Sequence, residues 1–126
     1  MEFTRLHNTL QTIMPFGKLT ISRNREEGYK PIDLLVASIA GCSQIVFTRI
    51  LEKKRISFTT LRLQVDFEQS SGGSNPLTKV SLAYELSGEN LDQDKLEKAL
   101  RLVPSNCTIM QSLNPSIEVI ETVTIK

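Results

Sequence analysis

The chain has no tryptophan, one histidine, two cysteines and almost no excess of charge: 15 lysines and arginines face 14 aspartates and glutamates, for a formal net charge of +1. Each scarcity excludes something. Balanced charge leaves no electrostatic footprint for nucleic acid or for an anionic membrane. Two cysteines in 126 residues do not make a disulfide scaffold. No pair of Cys or His stands at metal-ligand spacing, and neither GxGxxG nor a P-loop sequence occurs to mark a nucleotide site. The longest uncharged run, Leu34 to Thr48, covers 15 residues, whereas a spanning helix needs about 20. Met1-Glu2-Phe3-Thr4-Arg5 lacks the apolar run of a signal peptide, so the expectation is a soluble cytoplasmic protein. At 40% hydrophobic and 23% charged residues, one folded domain over 1–126 is expected.

What is present is patterned. Lys18–Ser22 alternates polar and apolar and predicts a strand, with shorter strands around Phe3–Leu6 and Thr9–Ile13. Ser22–Lys30 is polar, holds Gly28 and reads as a loop. Pro31–Lys54 predicts a long helix. Pro31 suits a first turn, Asp33 lies near the positive end of the dipole, and Lys53, Lys54 and Arg55 lie near the negative end. From Leu34 to Phe47 almost every residue is apolar or small, with no polar stripe, the pattern of a helix buried on every face.

Thr60–Glu68 and Lys79–Leu86 alternate without a fault around the turn-rich Ser70–Pro76, which predicts a long-looped hairpin. Asn90-Leu91-Asp92-Gln93 has the form of a capping box ahead of Leu96, Ala99, Leu100 and Val103 at helical spacing, with Pro104 as the stop. Ser105 is a candidate cap for a short helix through Leu113, and a strand from Ile117 to Ile125 closes the chain, its apolar face interrupted by Glu121.

Candidate chemistry reduces to the thiols. His7 lies near a terminus without an evident partner, the position of a solvated side chain. Cys42 falls mid-helix, and Cys107 follows Ser105-Asn106. Buried free cysteines ordinarily act as small inert hydrophobes. Against that, a helix started by Ser105 puts Cys107 in its first turn, where amide dipoles favour a thiolate. Activation of Cys42 needs a tertiary cation, for which Arg23 and Arg25 in the preceding loop are the nearest candidates.

The segment Pro31-Ile32-Asp33-Leu34-Leu35-Val36-Ala37-Ser38-Ile39-Ala40-Gly41-Cys42 resembles the central-helix signature of the OsmC/Ohr family, and Cys107, 65 residues further on, matches that family's second cysteine. The resemblance implies an α+β fold with antiparallel sheets around a long buried central helix, in an intertwined homodimer. It also implies a thiol-dependent peroxidase that reduces organic hydroperoxides. In that reading Cys42 is the peroxidatic thiol, Cys107 resolves its sulfenate as a disulfide, and an external dithiol is the reductant, with no bound cofactor or metal. Arg23 or Arg25 takes the place of the activating arginine, and Asp33 that of an acidic residue at the helix start. Two positions depart from the pattern: Ile32 stands where the hydroperoxidase branch has Glu, and Thr108 where Pro often follows the second cysteine. The alternative is a non-catalytic member that binds a small apolar ligand or senses redox state.

Two considerations add to the dimer expectation. One small sheet covers only one side of an all-apolar helix, so a second central helix packed through Ala37, Ala40 and Gly41 is the natural cover. Asp33 and Cys42, nine residues apart, fall on opposite helix faces and about 13 Å apart along the axis at ~1.5 Å per residue. A group from the Ser22–Asp33 region therefore reaches a partner's Cys42 more readily than its own, which puts the active sites at the dimer interface.

Overall fold

A polar–apolar alternation becomes a sheet only when its apolar face finds cover, and the strands here meet that condition to different degrees. The computed structural model describes residues 1–126. The chain divides into two units, Met1–Ala37 and Ser38–Lys126.

The first unit is an antiparallel meander of β1 (Thr4–Leu6), β2 (Thr9–Ile13) and β3 (Lys18–Ser22), followed by the first turns of the long helix α1 (Pro31–Lys53). His7, at φ +54°, makes the turn between β1 and β2 and is exposed. The expected loop after β3 folds back onto that strand. Tyr29 N–H donates to Thr20 O at 2.9 Å, and Ser22 N–H donates to Tyr29 O at 3.0 Å. Gly28 is required by this return: a Cβ there would stand 2.9 Å from the Thr20 carbonyl oxygen.

Helix α1 carries Asp33 in its first turn and Lys53 in its last, both matched to the helix dipole. Arg55, at φ +58°, ends it, and Ile56 N–H closes back on Leu51 O at 2.9 Å. By length and composition α1 could cross a membrane, with a mean hydropathy of 1.8. It is nevertheless the core helix of this fold. Ile39, Ser43, Val46, Phe47 and Leu51 form its buried face, and the Phe47 ring lies 4.8 Å from the Tyr84 ring. Within one chain the burial is one-sided. Ala37 and Gly41, expected to meet a second copy, are exposed, as is Ile45 at 55%.

The second unit pairs β4 (Thr60–Gln69) with β5 (Leu77–Ser87) as an antiparallel hairpin in the register Leu63↔Tyr84 and Val65↔Leu82. Gly72, Gly73 and Asn75 adopt positive φ in the connector, the conformations that turn chemistry predicts there. Strand β6 (Glu118–Ile125) adds to the far side of β5, but parallel to it. This corrects the expectation of purely antiparallel sheets. Alternation reports which face of a strand is buried, not its direction, and the crossover through three helices brings the chain back to the starting end of β5.

That crossover holds α2 (Gln93–Arg101), α3 (Val103–Asn106) and α4 (Thr108–Gln111). The cap of α2 is Asp92, whose Oδ1 accepts from Lys95 N–H at 3.1 Å, and not Asn90. Gln93 donates instead to Glu97 and to the Val123 carbonyl, tying α2 to β6. Ser105 caps nothing. It lies within α3, and Cys107 itself occupies the cap position of α4 in extended conformation. Buried Leu96, Ala99 and Val103 join Val80, Leu82, Tyr84 and Leu86 of β5 in the core of this unit.

Candidate active site

Cys42 lies on α1 one residue before the buried Ser43 and is itself partly accessible, whereas Cys107 is fully buried at the start of α4. The fold brings them together: the two thiols hydrogen-bond each other. Their chemistry is unequal. Burial alone pushes the Cys42 thiol up, but the Cys107 hydrogen bond, the backbone N–H groups of Ile109 and Thr108 and the Arg49 charge together hold it below the ordinary thiol value. Burial pushes Cys107 up as well, and here the hydrogen bond to Cys42 adds to the effect, so its thiol is pushed up to about 11. Of the pair, Cys42 is therefore the thiol that ionises first, and its thiolate accepts from the Cys107 S–H, a polarised dithiol in which nucleophile and proton donor are distinct.

This arrangement resolves a tension in the sequence. The backbone amides after Cys107 that pointed to a reactive Cys107 are directed in part at the sulfur of Cys42. They come from Thr108 and Ile109, on the opposite side of the unit in sequence, so neither contact is readable from local spacing. Arg49 was missed for a simpler reason. It stands seven residues after Cys42, two helical turns along the same face, whereas Arg23 and Arg25 lie ahead of the helix.

The other nominated residues lie in the first unit. Arg25 and Asp33 form a bidentate ion pair, with Nε–Oδ2 and Nη2–Oδ1 both at 2.9 Å. The Arg25 hydrogen bond holds the exposed Asp33 carboxyl below its usual range. Arg23 is exposed and makes no ion pair. Asp33 thus does more than favour the helix dipole: it fixes one of the two arginines. No group of His, Cys, Asp and Glu side chains is placed to hold a metal ion.

Beneath Cys42 lies a polar cluster. Ser43 Oγ is 2.6 Å from the Tyr84 hydroxyl and donates to Glu121 Oε2 at 2.6 Å. Ser43 and Tyr84 are buried, and burial raises the Glu121 carboxyl above its ordinary value against the Ser43 hydrogen bond that lowers it. The break that Glu121 makes in the apolar face of β6 was visible in the sequence. Its partners were not.

Fold and site together define a class: an α+β protein with a partly accessible cysteine on its central helix, hydrogen-bonded to a buried cysteine on a crossover. The chain belongs to the OsmC-like protein family, whose profile matches residues 24–122. Its fold is similar to that of a hypothetical protein from Aquifex aeolicus VF5, with TM-score 0.86 and 21% identity over 99% of this chain and 93% of that one. It is also similar to an OsmC-like protein from Mycoplasma pneumoniae, with TM-score 0.82 and 17% identity over 98% and 95% of the two chains. The organic hydroperoxide resistance protein OhrB of Bacillus subtilis aligns with TM-score 0.66 and 14% identity over 98% and 96%. No match was found among curated protein sequences.

Proposed function

We propose that the protein is a cytoplasmic thiol-dependent peroxidase that reduces organic hydroperoxides. The observation that carries the reading is the polarised dithiol, with a lowered Cys42 accepting from a raised Cys107. Membership in a family that includes organic hydroperoxide resistance proteins supports the choice of substrate class. The Cys42 thiolate attacks the O–O bond and is oxidised to the sulfenic acid. The peroxide is reduced, its leaving alkoxide taking a proton to become the alcohol. Cys107 then attacks the Cys42 sulfenate sulfur, its proton leaves with the hydroxyl as water, and a disulfide forms. An external dithiol restores the pair.

The active unit in this reading is a homodimer. The exposed Ala37, Gly41 and Ile45 on α1 favour a second copy as cover. Of the two loop arginines, Arg25 is the better candidate to act on a partner's Cys42, because Asp33 already fixes its guanidinium. Peptide mapping after one equivalent of cumene hydroperoxide should find a Cys42–Cys107 disulfide, and catalytic turnover should follow once a dithiol is added. Peroxide consumption by Cys42→Ser at the wild-type rate would refute the assignment, and a disulfide formed without turnover would make the protein a sensor. Cys42→Ser and Arg25→Met chains, refolded together, should recover part of the activity. A monomer at micromolar concentration in analytical ultracentrifugation would remove the shared site.

A further inference from the structure

The cluster Glu121–Ser43–Tyr84, in which Ser43 and Tyr84 are buried and Glu121 half-buried, takes no part in the thiol chemistry described above, and it occupies an expensive position. A carboxylate on the core-facing side of a strand loses hydration that an apolar residue of similar size would not need. Its Oε2 is compensated by the Ser43 hydroxyl, and no buried side-chain polar atom in the structure lacks a partner.

The location gives the cluster a task. Between Ile39 and Val46 the only buried residue of α1 is Ser43. The neighbours on that stretch, Ala40, Gly41 and Cys42, are small, so packing gives the turn little grip. Ser43 is held from two strands. Tyr84 and Glu121 lie on neighbouring β5 and β6, where Leu82 pairs with Glu121 and Tyr84 with Val123, so both side chains belong to the face that meets α1. One hydroxyl hydrogen fixes the order of the chain: Tyr84 Oη–H donates to Ser43 Oγ, and Ser43 Oγ–H donates to the Glu121 carboxylate. Cys42, the next residue back along α1, must keep its sulfur within reach of two backbone amides and one S–H. A small rotation of the turn would loosen all three.

We propose that Glu121 is a positioning residue for Cys42: acting through Ser43, its carboxylate and the Tyr84 hydroxyl lock the α1 turn that carries the thiol. Surrounding charges do not take over this role. Glu97 and Arg101 of α2 share with Glu121 a cavity of about 430 Å³, but the hydrogen bonds of Glu121 run to α1.

The inference rests on the proposed function only in taking Cys42 as the working thiol, and its test needs no peroxide. Peptide-resolved alkylation of Cys42 by iodoacetamide, followed from pH 5 to 10 in the full chain, reads the thiolate directly. Ser43→Ala and Glu121→Leu should each move the midpoint upward and slow alkylation at pH 7 several-fold. Glu121→Gln, whose amide oxygen can still accept from Ser43, should restore most of the wild-type profile. The double variant Ser43→Ala/Glu121→Leu should match Ser43→Ala alone, because Glu121 acts only through that hydroxyl. Variants that melt earlier yet keep the wild-type midpoint would overturn the proposal, as would shifts that simply add in the double variant. If Ser43→Ala does not fold, Tyr84→Phe, which removes one oxygen, tests the same chain against the same criteria. Failure of the wild type to consume hydroperoxide would sink the peroxidase reading and leave these midpoints to decide the positioning role.

Discussion

Replacing Cys107 by alanine removes the S–H that donates to the Cys42 thiolate while leaving the amides of Thr108 and Ile109 in place. A hydrogen bond to a charged group contributes ~1.5–3 kcal/mol. A thiol is a weak donor, so the lower end applies, and ~1.4 kcal/mol corresponds to about one pKa unit. The Cys42 midpoint should therefore rise by about one unit. Well below that midpoint the thiolate fraction falls about tenfold, but a more basic thiolate is about threefold more nucleophilic at a Brønsted slope of ~0.4–0.5. Alkylation at pH 7 should consequently slow only about threefold. The assay is iodoacetamide labelling of Cys42 with mass-spectrometric readout, carried out well below the melting temperature because loss of a fully buried side chain costs some stability. Cys107→Ser, which keeps a donor, should return the midpoint to near or below its wild-type value. An unmoved midpoint in Cys107→Ala would refute the reasoning, since it would mean that the amides and Arg49 hold the thiolate without the S–H.

Arg49→Gln should raise the same midpoint by a smaller amount, and the difference from wild type should shrink as salt rises from 0.02 to 0.5 M (orders chosen about the screening length), because Arg49 is exposed. Gly28→Ala should destabilise the protein by ~1–3 kcal/mol in urea unfolding, since the new Cβ meets the Thr20 carbonyl. Raising the pH through 9 towards 11 should lower stability. The folded chain keeps the Cys107 proton up to about 11 while the unfolded chain has released it, so folded molecules bind more protons in that window and unfolding gains. Cys107→Ser should flatten the slope between pH 9 and 10.

Legibility in the sequence follows the range of the interaction. Helix α1 and the β4–β5 hairpin were readable because proline, dipole charges, turn residues and alternation all act within a few positions. The caps went astray for a related reason: Asn90 and Asp92 are equally competent oxygens, and the choice between them is made by Gln93, which is drawn away to the Val123 carbonyl on β6. The choice of the two candidate cysteines came from the resemblance of Pro31–Cys42 and its distant partner to a known signature, not from local chemistry. On local grounds Cys107 looked the more acidic thiol, and the structure reverses the order through burial and through amides that reach across to Cys42. Glu121 was noticeable as a charge on an apolar face, but only the fold brings Ser43 and Tyr84 to it.

The parallel placement of β6 bears on how the site comes into being. The β4–β5 hairpin closes on contacts near in sequence, whereas β6 can join β5 only after residues 88–117 have been gathered into a loop, and such non-local closure costs entropy before its contacts compensate for it. Cys107 rides on that loop. The strand that completes the sheet also brings Glu121 under Ser43, so the partner thiol, the directed amides and the half-buried carboxylate all depend on the least local part of the topology. Without it Cys42 is an ordinary thiol on a helix. Its lowered value depends on that closure, and a chain in which β6 has not docked lacks the groups that acidify the sulfur.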